Sequence, residues 1–150
     1  MRHRGAGRGL RVPFDLKAAR LVWLAQTLLM GVSVVVLYGV LVLGGATGES
    51  RFAGILSFAG PTLVAIMGAA RLARSTIIRL MQRHAPPEGR EEAYAVATLM
   101  STGFIEGPGI MLMILCFVSG AALWLLLGGA VTVGLMTVSG PSREEAGLDR

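Results

Sequence analysis

The sequence predicts an all-α fold, a four-helix transmembrane bundle, and three observations lead there. Of 150 residues, 53% are apolar and only 15% charged, with a mean hydropathy of +0.65, whereas about a quarter of a soluble domain is charged. The 14 basic and 9 acidic side chains crowd into a few places and leave uncharged runs at 21–48, 52–70, 93–105 and 107–142. Glycines, prolines and short polar stretches punctuate these runs at intervals close to the roughly 20 helical residues that cross a ~30 Å hydrocarbon layer.

The first helix is expected over 21–43. A basic arm at 1–20 precedes it, with Arg2, Arg4, Arg8, Arg11, Lys17 and Arg20 against the single acid Asp15. The apolar run exceeds the 7–15 residues of a signal-peptide core, so it reads as an uncleaved span. Gly44, Gly45 and Gly48 then mark a turn.

A second helix is expected over 52–82. Pro61 falls inside it, which lipid tolerates where a neighbour satisfies the freed carbonyl. Beyond Ala70, residues Leu72, Ala73, Thr76, Ile77, Leu80 and Met81 follow one helical stripe, with Arg71, Arg74, Arg79 and Arg83 largely off it. These four arginines are expected to anchor at anionic lipid headgroups, or to meet an acidic partner. Ala85-Pro86-Pro87 ends the helix.

From Ala93 to Ser142 only Glu106 is charged. As one helix those residues would measure about 75 Å at 1.5 Å each, so two spans are expected, 93–118 and 121–139, broken at Ser119-Gly120. Lys and Arg concentrate in the arm and in the 71–92 connection, while the 44–51 and 119–120 turns hold one and none. The positive-inside rule then puts both termini in the cytoplasm, with 140–150 as a short cytoplasmic tail. A basic arm and short spans fit a multi-pass protein of a bacterial inner membrane.

Glu106 lies deep in the third span, where a charge costs about 2.5–3.5 kcal/mol on insertion scales. Desolvation favours its neutral form, so it is a candidate for binding and releasing a proton. Thr98, Thr102 and Glu106 recur every four residues, with Ser101 beside them. Gly107-Pro108-Gly109 should kink the helix at that depth, because Pro108 has no N–H for the Phe104 carbonyl. Carboxyl, hydroxyls and a freed carbonyl make a plausible oxygen set for H⁺ or a small cation. The plainer alternative is a protonated carboxyl that only ties helices together, and a third is a site for a lipid or quinone headgroup.

The stretch from about Gly54 to Val118 resembles the hairpin of the proton-translocating c subunits of rotary ATP synthases. Gly54, Gly60 and Gly68 stand for the glycine-rich helix, Arg83 to Arg90 with Pro87-Glu88 for the polar loop, and Glu106 for the ion-binding carboxylate. The resemblance implies proton or cation binding at Glu106. The chain departs from that family in its two flanking spans, in Ala85-Pro86-Pro87-Glu88-Gly89 at the loop, and in Gly107 and Gly109 beside the carboxylate.

Other function classes lack support. No aromatics interleave with the arginines, so nucleic acid is not an expected partner despite a net charge of +5. His3 and His84 have no clustered partners for a metal, no nucleophile–base pair or phosphate loop is visible, and no enzyme activity or cofactor is expected. Gly31, Gly39 and Gly128-Gly129 could serve helix contacts within or between protomers, so a homo-oligomer is an expected possibility. Two functions remain: proton or cation translocation at Glu106, or a non-catalytic accessory or assembly subunit of a larger membrane complex.

Overall fold

In the computed structural model, residues 16–45 and 53–142 are described, and they form four α-helices in the expected order. These are α1 (Leu16–Leu43), α2 (Ala53–His84), α3 (Arg90–Val118) and α4 (Ala122–Val138), with a short 3-10 turn at Pro87–Gly89 before α3. Most of the basic arm, the 46–52 connection and the tail beyond Ser142 lie outside the described residues. Among the described residues, α1, α2 and the turn together with α3 are each long and apolar enough to cross a membrane. Helix α4 is equally apolar but has 17 residues.

Each boundary has a local cause. Helix α3 ends where Gly120 takes a left-handed φ of +67°, which a residue without Cβ adopts at little cost. Glu91 and Glu92 occupy the first turn of α3, where negative charge complements the helix dipole. Glu91 also accepts a hydrogen bond of 3.2 Å from the Leu16 N–H at the start of α1. Pro61 and Pro108 both sit inside continuous helices, so neither interrupts its span.

Helix α3 is the hub. It packs against α1, α2 and α4, most extensively against α2, while α1 and α2 do not meet. Its inward stripe runs through Tyr94, Thr98, Ser101, Ile105, Gly109, Leu112 and Cys116, spacings of three and four that keep one face inward. Glycines let α4 come close: a Cβ on Gly129 would collide with Val34, and one on Gly109 with Thr132. A Cβ on Gly31 or Gly39 would meet nothing within 4 Å, so neither glycine is required by a close helix approach inside the described fold.

The stripe beyond Ala70 differs from the expectation. Of the expected positions Ile77 and Met81 pack, half-buried, on the cluster of Leu16, Ile78, Tyr94 and Ala97, whereas Leu72, Ala73, Thr76 and Leu80 are exposed; the buried positions along this face are Met67, Arg74 and Ile78. An arginine takes an inward place because it meets backbone carbonyls there.

Candidate functional site

Glu106 follows the buried Ile105 and is only half-buried itself. The i, i+4, i+8 spacing explains this. Each four-residue step turns the helix by about 40°, so Glu106 stands about 80° around from Thr98 and leaves the inward face. Met111 and Leu115 line a shallow surface with α2. Leu115 lies nine residues on, about 180° from Glu106, so the carboxyl occupies the flank of α3 away from α2. Among the described residues no hydrogen bond or ion pair reaches it.

The hydroxyls expected beside it make no hydrogen bond to the carboxyl. Ser101 Oγ donates to the Thr98 carbonyl oxygen at 2.8 Å and Thr102 Oγ1 to the same oxygen at 3.0 Å. Thr98, Ser101 and Thr102 are thus brought together, fully buried, while Glu106 is not joined to them. Thr98 Oγ1 is buried without a partner, as is Gln26 Oε1 on α1. The same economy holds in the other helices: Thr27, Ser33, Thr62, Thr132 and Thr137 each donate to the carbonyl four residues back, at 2.8–3.0 Å. A hydroxyl in an apolar span is satisfied most cheaply by its own helix.

Gly107, Pro108 and Gly109 have separate surroundings. Gly107 is exposed with open space around it, Pro108 is half-buried, and Gly109 is buried against Thr132. The unbroken helix through them means that the expected kink does not divide α3. The glycine contact with α4 is what this segment contributes to packing.

The arginines divide into two pairs. Arg74, 2% exposed, donates through Nη2 to the Gly140 carbonyl at 3.0 Å, and the half-buried Arg71 reaches the Val138 carbonyl at 3.4 Å. For Arg74 this replaces the expected lipid-headgroup role: the buried guanidinium is spent on a carbonyl two residues past the end of α4, close to the helix's negative dipole end. Arg79 and Arg83 are exposed, as a headgroup or partner contact requires.

Around Arg74 lies a cluster that sequence reasoning did not find. Trp23 Nε1 donates to the Met136 carbonyl at 2.8 Å, and the Ser142 N–H donates to the buried Tyr94 hydroxyl at 2.8 Å. The start of α1, the basic part of α2, the start of α3 and the end of α4 are thereby tied at one end. The sequence carries no signal for it, since the four arginines read together as one basic face.

Among the described residues no group of three or more His, Cys, Asp or Glu side chains could hold a metal. The described residues define an all-helical fold with three helices of membrane-crossing length. No family model, curated protein or solved structure matches the chain.

Proposed function

We propose that the chain is a multi-pass membrane protein, with the arginine-rich end cytoplasmic in a bacterial inner membrane, and that Glu106 binds a proton or small cation during its translocation. The observation that carries the reading is the carboxyl itself: it lies sixteen residues into a 29-residue apolar helix, half-buried, and no described residue pairs with it. A structural carboxyl that only tied helices together would be spent on a partner, since an unmatched one at such depth is costly. The likeness of 54–118 to c-subunit hairpins supports the same residue. The ligand set is smaller than the sequence suggested, because no hydrogen bond joins Glu106 to the buried hydroxyls of Thr98, Ser101 and Thr102, which bond within their own helix or, for Thr98, to nothing.

The test is proton or Na⁺ flux into proteoliposomes. Glu106→Gln keeps the shape and removes the titrating group, so flux should fall to the level of empty vesicles with expression intact. Undiminished flux in the variant, or no flux in the parent protein, overturns the reading and favours the accessory-subunit alternative. One observation suits that alternative. Helix α2 has 32 residues, about 48 Å, and its basic end carries Leu80 at 57% exposure between the exposed Arg79 and Arg83.

A further inference from the structure

A cavity of about 560 Å³ opens between α2 and α4 at the end opposite the arginines. Gly60, Leu112, Cys116 and Gly128 form its buried floor. Its mouth, with Val64, Trp124 and Val131, is exposed on the lateral surface. Helices α2 and α4 barely touch, which leaves the opening. Ser119 also lines the cavity; it is 4% exposed and its Oγ has no hydrogen-bond partner.

The lining is polarised. Ser57 and Ser119 lie at the end near the 119–121 turn, whereas Val64, seven residues further along α2, is about 10 Å deeper. The volume falls within the roughly 300–1,000 Å³ of small-molecule sites. An apolar cavity does not hold water, and one open to hydrocarbon is filled by what surrounds it. No charged side chain lines it, so a carboxylate or an amine has no counter-charge there. A pure hydrocarbon, in turn, would leave the Ser119 hydroxyl unmatched.

We propose that the cavity holds one acyl chain of a glycerophospholipid from the leaflet opposite the arginines, with the Ser119 hydroxyl donating to the ester carbonyl at the chain's outer end. The inference rests on membrane embedding alone and is independent of Glu106, which occupies the flank of α3 away from α2.

The experiment uses the full chain in phosphatidylethanolamine–phosphatidylglycerol vesicles containing a trace of phosphatidylethanolamine with a diazirine in its acyl chain. After irradiation, crosslinks are mapped by mass spectrometry and are expected to concentrate on 54–64 and 119–131. Val131→Trp, which fills the mouth, should remove that enrichment. Ser119→Ala, which hardly changes the volume, should weaken it about fivefold, the worth of one hydrogen bond, and serves alone if the tryptophan variant does not fold. Glu106→Gln should leave the enrichment unchanged, which separates this proposal from the translocation reading. Label spread evenly over the outer faces of α1, α2 and α4, or unaltered by both cavity variants, overturns the site. A diazirine-bearing isoprenoid hydrocarbon that displaces the phospholipid label overturns the ester assignment.

Discussion

Gly107 and Gly109 stand on either side of one proline and should respond to the same substitution with opposite signs. A methyl at Gly109 meets Thr132, whose Oγ1 is held on the Gly128 carbonyl at 2.8 Å, so the side chain cannot swing aside freely. Gly109→Ala should cost about 1–3 kcal/mol, as overpacking does. Gly107→Ala enters open space and should be neutral or stabilising by up to ~1 kcal/mol, because alanine loses less entropy in a helix. Thermal unfolding in detergent, followed by tryptophan fluorescence, distinguishes the two; equal shifts would contradict the packing of α3 on α4. Both glycines stand out in the sequence as neighbours of Glu106, but which one touches another helix depends on rotations of 100° per residue and on where α4 lies. The hydroxyls teach the same lesson. Their presence near Glu106 was legible, whereas their engagement with Thr98 is a matter of rotamer and geometry.

At the scale of elements, the end of α4 is held by partners far away in sequence. Arg74 to Gly140 and Trp23 to Met136 span separations of 66 and 113 residues. Arg74→Ala should cost about 1.5–3 kcal/mol, the range for a hydrogen bond to a charged group, and should speed hydrogen exchange in the 136–142 segment. Arg79→Ala, at an exposed position, should stay within about 0.5 kcal/mol. If both variants exchange alike, Arg74 does not cap α4. Seven of the eight helix ends were legible to within three residues, since apolar runs and their breaks set helix length, and the Ser119-Gly120 break coincides with the positive φ of Gly120; α1 starts five residues early, at Leu16, so Lys17 and Arg20 of the expected arm belong to the helix. The division of the arginines was not. Their regular spacing suggests one basic face, and only the carbonyls of α4 distinguish Arg74 from Arg79.

At the scale of the whole molecule, the proposed orientation has a direct test. In a background with Cys116 replaced by Ala, Leu43→Cys and His84→Cys place thiols at exposed positions at the C-terminal ends of α1 and α2, which the proposed topology sets on opposite sides of the membrane. A membrane-impermeant maleimide should label the cysteine at 43 in intact cells and the one at 84 only after permeabilisation; the reverse pattern, or labelling of both in intact cells, refutes the orientation. The sequence by itself determined the all-α class, the four helices of the described residues and the place of Glu106 midway along the third, because hydropathy and helical rise are properties of a single segment. Tertiary structure decided that α3 is the hub, that Glu106 stands at the edge of its inward stripe, that Arg74 points inward and that a cavity opens between α2 and α4. Those outcomes depend on how helices rotate against one another until glycines meet bulky side chains and chain-end carbonyls find donors, and neither condition can be read from one segment alone.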